Sequence, residues 1–322
     1  MRDFPKPIVI VSKCIEFERC RYNGLIISSE AVRKLRGQVE FVPVCPEVEI
    51  GLGIPRDPVR IISTDGKPTL LQPATNRDVT EKMEKFAKTF LDSFKEIDGF
   101  ILKSRSPSCG TKDVKVYSGS GKGVSSSRGS GFFGGAVLER FPHLAIEDEG
   151  RLTNFGIREH FLAKLFALAG FREIKGKASM SELVRFQRQN KSLLMAYSQK
   201  ELRVLGRIVA NHEKKPPVEV IKDYEQHLWN AFLRPAKDTS NINVLMHAIG
   251  HFSESLSSKE KSFFLNTLEE YRDERIPLSV PLSILKSWAV RFEDDYLMEQ
   301  SFIEPYPEQL VEITDSGKGR NL

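Results

Sequence analysis

The sequence predicts an α/β N-terminal domain, Rossmann-like with a mostly parallel sheet and flanking helices, followed by an all-α C-terminal domain. Short apolar runs alternate with helical patterns through the first half of the chain, which is the mark of βαβ units. The second half lacks strand-like alternation and carries one helical periodicity after another. At 322 residues the chain also exceeds the roughly 250 residues at which single cores stop growing. Two domains are therefore expected, residues 1–170 and 178–322.

Pro7 to Ser12 reads as the first strand, and Ser28 to Arg36 as a short helix with Ser28 or Ser29 placed to cap it. Glu40 to Val44 is the second strand and Val59 to Ile62 another short one. Val79 to Lys95 has helical periodicity, and Gly99 to Lys103 is a further apolar strand. From Ser118 to Gly135 the chain runs SGSGKGVSSSRGSGFFGG, too rich in Gly and Ser for regular structure. It is read as a lid or a phosphate cradle containing Lys122 and Arg128, against the plainer reading of a surface loop. Helices are expected over Gly135–Phe141 and Thr153–Ala169, the second ended by Gly170, with Gly170–Ser179 as linker. Beyond it, helical patterns cover Met180–Asn190, Ser192–Val209, Pro217–Leu233, Ile242–Phe252, Ser257–Arg275 and Leu282–Ser301.

Apolar residues make up 40% of the chain and charged residues 28%, a balance that excludes a disordered or fibrous protein. The first apolar run, Ile8 to Val11, is too short for a signal peptide, and none reaches the roughly 18 to 20 residues of a membrane helix. A cytoplasmic location without membrane partners follows as the expectation. Four cysteines in such a chain argue against a disulfide framework. The net charge of +5 is mild, but Lys175 to Lys215 holds ten Lys or Arg against three acidic residues. Such a segment fits a polyanion or a solvated helical face.

Cys14, Cys45 and Cys109 each lie beyond the carboxyl end of an expected strand. Ligands of open α/β sheets bind outside those ends, so the three are expected to share one site. Their spacing, with Cys20, matches neither the C-x-x-C knuckles of structural zinc nor the compact ferredoxin run. Zinc and plain burial stay open on spacing alone. His247 and His251 have a helical metal spacing but lack a third candidate ligand nearby, so hydrogen bonding and packing are the default for them.

The segments VSKCIEFERCRYNG, PVCPEVEIGLGIPRDP and LKSRSPSCG together resemble the thiouracil desulfidase (TudS) family over roughly residues 6–160. That resemblance implies a four-iron, four-sulfide ([4Fe-4S]) cluster held by Cys14, Cys45 and Cys109, with one iron open to substrate. It implies Glu47 of C-P-E and Ser106 of S-P-S-C as catalytic residues, base and donor respectively. Cys20 lies in the turn CRYNG, where the family need not have cysteine, and reads as structural or supporting; Asn23 replaces the commoner Asp of that turn. The implied chemistry is hydrolytic replacement of sulfur by oxygen, without net redox change. Arg21, Arg56, Lys103, Ser104 and Ser108 are weaker candidates for holding a uracil edge or a phosphate, each with a structural role as the plainer reading. IEDEGRL, with Arg158 and Glu159, matches a family feature that a salt-bridged helix entry explains equally well.

FQRQNKSLLMAYS, LGRIVA, NVLMHAIGHF, YRDERIPLSVPLSILKSW and YLMEQSFIEPYP resemble a YbgA-type domain. A desulfidase domain followed by this one is the arrangement of RudS-type tRNA desulfidases, which implies tRNA 4-thiouridine as substrate. Arg185, Arg188 and Lys191 lie near one helical face, and Arg203 and Arg207 one turn apart, where they are candidates for RNA phosphates. The alternatives are a desulfidase for free thiouracil or its nucleotide, and a non-catalytic cluster or zinc protein that binds RNA.

Overall fold

The computed structural model describes residues 3–64, 66–119 and 125–312, and Lys122 lies outside them. The described residues form two compact units, 6–161 and 162–312, the latter also taking in residues 3–5.

In the first unit, the apolar run Ile8–Ser12 is β1, and Glu40–Val44 is β2. Two later strands, Gly99–Leu102 and Ala145–Asp148, lie in the same sheet. With β3 (Arg60–Thr64), β4 (Lys67–Gln72) and β5 (Arg77–Asp78) numbered between, these are β6 and β9. The sheet order is β2-β1-β6-β9, all parallel, with Val9 beside both Phe41 and Gly99 and with Gly99 beside Ala145. Central position buries both faces of β1, which is why IVIV is a continuous apolar run. α1 (Glu30–Leu35) joins β1 to β2, and it is Ser29 whose Oγ accepts the Val32 amide.

A second sheet went unread beyond its first strand. Its order is β5-β4-β3-β7-β8, with β7 Val114–Tyr117 and β8 Ser126–Gly129. The expected irregular Gly/Ser stretch is thus corrected in part, because SSRG pairs antiparallel with VKVY, and a helix starts at Phe132. Pairing with a strand anchored in the core overrides the weak strand preference of Ser and Gly. Ile61, Leu70 and Val114 of this sheet share one core with Met83, Ala87 and Leu91 of α3 (Thr80–Asp92), Phe133 and Val137 of α4 (Phe132–Arg140), and Ile10, Phe100 and Leu102. A four-residue helix, α2 (Pro46–Glu49), directly follows Cys45.

Helix α5 (Phe155–Lys177) runs through Gly170 instead of ending there. The expected linker is therefore helical, because Phe171 and Ile174 beyond the glycine are buried, and that burial outweighs the roughly 1 kcal/mol helical penalty of Gly. Among the described residues six helices of twelve or more residues follow, α6 (Met180–Tyr197), α7 (Gln199–Ala210), α8 (Pro217–Ala231), α9 (Asp238–Ile249), α10 (Ser258–Arg272) and α11 (Ser279–Arg291), with the short α12 (Asp295–Met298) after them. The break between α6 and α7 falls at Ser198, not near Lys191, because Ser198 Oγ caps α7 through the Glu201 amide. The expected Leu282–Ser301 helix is likewise divided, Asp294 capping α12 through the Leu297 amide. Leu183, Phe186, Leu194, Tyr224, Leu228, Leu245, Phe264 and Leu285 fill this unit's interior. Phe171 stacks on Tyr224, whose hydroxyl donates to Gln187 at 2.6 Å. Among the described residues, no helix is long and apolar enough to cross a membrane.

Candidate active site

Three adjacent parallel strands, β2, β1 and β6, lead at their carboxyl ends into the segments bearing Cys45, Cys14 and Cys109. All four cysteines are buried free thiols. The Cys20 thiol hydrogen-bonds with those of Cys14 and Cys45, so the turn residue read as supporting sits among the expected ligands. Its hydrogen bond with Cys14 is the main reason the Cys20 thiol is pushed up to about 11. Cys45 is raised first by Cys20 and then by burial, while Arg56 opposes both. Burial raises Cys109, and the hydroxyls of Ser12 and Ser106 oppose it. Soft sulfur donors suit iron–sulfur clusters and zinc. Thiols brought together from separate strand ends are a donor set of the kind an iron–sulfur cluster takes.

Glu47 occupies the first turn of α2, two residues after Cys45, and is buried. Its Oε1 accepts from Ser108 Oγ at 2.9 Å and its Oε2 from Arg56 Nε at 2.7 Å. The guanidinium is almost wholly enclosed, with 3% side-chain exposure. It also donates to the carbonyls of Cys20 (3.0 Å) and Gly53 (2.9 Å) and lies 3.9 Å from Cys45 Sγ. Arg56 thus ties α2, the CRYNG turn and the Cys45 thiol together. A cis Ile54–Pro55 bond precedes it.

Ser106 works inside its own loop. Its Oγ accepts the amides of Ser108 (3.2 Å) and Cys109 (3.1 Å) and reaches the Cys109 thiol. The loop rests on the start of α4: the Phe132 amide donates to Pro107 O, those of Phe133 and Gly134 to Ser108 O, and that of Gly131 to Gly110 O. These amides are spent on carbonyls, so the expected phosphate cradle does not form over residues 131–134. Glycine is required here, since a Cβ on Gly131 would lie 2.6 Å from Ser108 O, and one on Gly134 2.3 Å from Gly110 O.

Lys103 and Ser104 directly follow β6 and are gathered by Glu149, a residue the sequence flagged only within IEDEGRL. Glu149 accepts the Ser104 amide and hydroxyl at 2.8 Å each and ion-pairs with Lys103 Nζ. Ser12, unflagged although it stands in the S-x-C of the first segment, accepts the Lys103 amide at 2.8 Å and meets the Cys109 thiol. Arg21 lies over the Tyr22 ring, 5.3 Å from its centroid. Arg128, exposed on β8, donates to Asp113 O. In the helical unit Arg185 pairs with Glu182 and Arg188 with Glu299, whereas Lys191, Arg203 and Arg207 are exposed. His251 bonds Asp294 at 3.0 Å and stacks on Tyr296.

The model of the 2-thiouracil desulfurase family matches residues 9–149, and that of a protein of unknown function (DUF1722) matches residues 191–307. The chain is 40% identical over 128 residues to the uncharacterized protein YbbK of Bacillus subtilis, covering 37% of this chain and 84% of YbbK. It is 28% identical over 158 residues to the uncharacterized protein YbgA of Escherichia coli, covering 48% and 93% respectively. A solved [4Fe-4S]-dependent thiouracil desulfidase, TudS, aligns at 29% identity over 46% of this chain and 93% of its own, with a TM-score of 0.37.

Proposed function

The chain belongs to the 2-thiouracil desulfurase family through residues 9–149 and carries a DUF1722 domain over residues 191–307; on that premise we propose that it is a tRNA 4-thiouridine desulfidase. The observation that carries the proposal is the delivery of Cys45, Cys14 and Cys109 by three adjacent strand ends, with a buried, doubly hydrogen-bonded Glu47 among them. Cys14, Cys45 and Cys109 would hold a [4Fe-4S] cluster, which when bound supplies a Lewis acid for the exocyclic sulfur of a thiolated uracil.

The remaining work falls to side chains of the chain itself. Glu47 takes a proton from the water that attacks the thiocarbonyl carbon; the overall exchange consumes water and yields a carbonyl, hydrosulfide and a proton. Arg56 and Ser108 position that carboxylate, each on its own oxygen. Ser106 presents a hydroxyl beside the Cys109 thiol, in place to donate to the ring or the departing sulfur. Lys103, Ser104 and Glu149 offer polar groups at the neighbouring strand ends for the uracil edge. In the helical unit, proposed as an RNA-holding domain over 178–322 in the cytoplasm, Lys191, Arg203 and Arg207 meet phosphates. A stacked target base would leave its stack to reach the thiols.

The family description favours a second reading, free 2-thiouracil or a small thiolated nucleotide as substrate. Anaerobic cluster reconstitution, then incubation with thiolated tRNA or with 2-thiouracil, separates the two. Loss of thiouridine absorbance with sulfide release from tRNA supports the first; reaction of the free base alone supports the second. No sulfide from either removes both.

A further inference from the structure

We propose that the outer face of the second sheet is a phosphate-binding row that holds single-stranded RNA beside the cysteine site, the row being Arg60, Lys115 and Arg128 on β3, β7 and β8. The inference rests on the reading of RNA as substrate and adds a second contact surface, within the first unit itself.

Alternation defines the face. Ile61, Leu70, Val114 and Val116 point into the core or pack against it, so their neighbours along each strand point away. The register that sets Ile61 beside Val116 puts Arg60 beside Lys115, and Lys115 is paired with Arg128. All three side chains are exposed. Adjacent strands are about 4.8 Å apart, so three positive charges form a row about 10 Å long.

Those strands, RIIST, VKVY and SSRG, contain these three cations and no acid. Among the described residues, none of the three has an ion-pair partner; Arg128 donates to a backbone carbonyl, and Arg60 lies over the Tyr117 ring at 5.3 Å. Lys112 and Asp113 beside them cancel, and the acid in line with Arg60, Asp78, stands two strands away across Leu71, with its carboxylate accepting the Thr80 amide. Uncompensated like charges held in line by a sheet repel one another, and a polyanion relieves that repulsion. RNA is favoured over an acidic peptide by the Arg60–Tyr117 pair, because a guanidinium plane and an aromatic ring are what unstacked bases lie on.

Position links the row to the chemistry. Arg60 is four residues after Arg56, which holds Glu47, and Lys115 is six after Cys109. Chain length alone keeps these within about 14 and 21 Å of the site, the distance of a few nucleotides. A base entering among the thiols would have its flanking backbone on β3 and β7.

The test is anisotropy of a labelled oligouridylate with the full-length protein over a salt series, comparing wild type with R60A/K115A/R128A and R60K/R128K. Single strands lose about 0.7 in log–log salt slope per phosphate released. The triple variant is expected to bind at least tenfold more weakly at low salt, with a slope shallower by about 2 and an unchanged melting temperature. The charge-preserving pair keeps the wild-type slope. An unchanged slope in the triple variant overturns the proposal, and so does lost binding to polyglutamate with RNA binding intact. Binding is read without turnover, so a failure of desulfuration on RNA would leave a positive binding result standing, and a failure of the row would leave the reading of the cysteine site untouched.

Discussion

Glu47 shows how much a single side chain is asked to do. Its two oxygens are engaged by different residues, Ser108 and Arg56, that come from different loops. Glu47→Gln keeps the shape but removes the base. Turnover should fall by about 10²- to 10⁴-fold, the usual contribution of general-base catalysis, with iron content per chain unchanged. Full sulfide release from this variant would remove Glu47 from the mechanism. Arg56→Ala leaves a buried carboxylate without its cation, a loss of about 3–5 kcal/mol that a denaturant midpoint would read. Arg56→Lys restores charge but not the fork that reaches Glu47, Cys20, Gly53 and Cys45 together, so it should recover stability more than activity. Cys20 is the residue to set against the ligands. If Cys14, Cys45 and Cys109 suffice, Cys20→Ser loads iron to the wild-type level and Cys14→Ser does not; equal loss in both would make Cys20 a ligand.

At the scale of elements, the parallel sheet was legible because β1, β2 and β6 are apolar runs, and each is followed closely by a cysteine segment. The second sheet was not, since β7 and β8 are only four residues each and β8 contains no apolar residue. Only pairing makes such a segment a strand, and pairing is not local. Helix ends failed for a related reason. Gly170 is a stop signal in isolation, overridden by the buried residues after it. In the candidate site, Cys14, Cys45, Cys109 and Glu47 are proposed from their own segments, whereas Glu149 and Ser12 come to notice only through contacts with residues 45 and 91 positions away. The loop–helix contact at α4 gives a test at this scale. A Cβ on Gly134 would meet backbone on the cysteine loop, not a side chain that can turn aside. Gly134→Ala should cost about 1–3 kcal/mol, as overpacking does, and lower iron loading through displacement of Cys109. Gly176 in α5 is the control, because nothing lies within 4 Å of its added methyl group. There the same change should stabilise by about 0.5–1 kcal/mol. Equal denaturant midpoints for the two variants would mean that the close contact at α4 is not a constraint.

For the whole molecule the question is why a desulfidase unit is joined to a helical one. The mild net charge of +5 hides an uneven distribution, with ten basic and three acidic residues between Lys175 and Lys215. Arg185 and Arg188 are matched by Glu182 and Glu299, so only part of that excess is available to a partner. Lys191, Lys200, Arg203, Arg207 and Lys214 are exposed and lie outside those ion pairs; Lys191, Arg203 and Arg207 are the three proposed to meet phosphate, and such contacts are weakened by salt through counterion release. A helical unit that serves to hold RNA should therefore act on KM and not on the chemical step. Removing residues 178–322 is expected to raise KM for thiolated tRNA by at least tenfold and to flatten its salt dependence, with kcat on free 2-thiouracil close to that of the full chain. A unit that only stabilises its neighbour predicts something else: both substrates lose kcat together, in step with a lower melting temperature and less iron bound. Measuring both substrates in the same preparation, at two salt concentrations, decides between a tether for RNA and a structural support, because only a tether acts on one substrate and leaves the other unchanged.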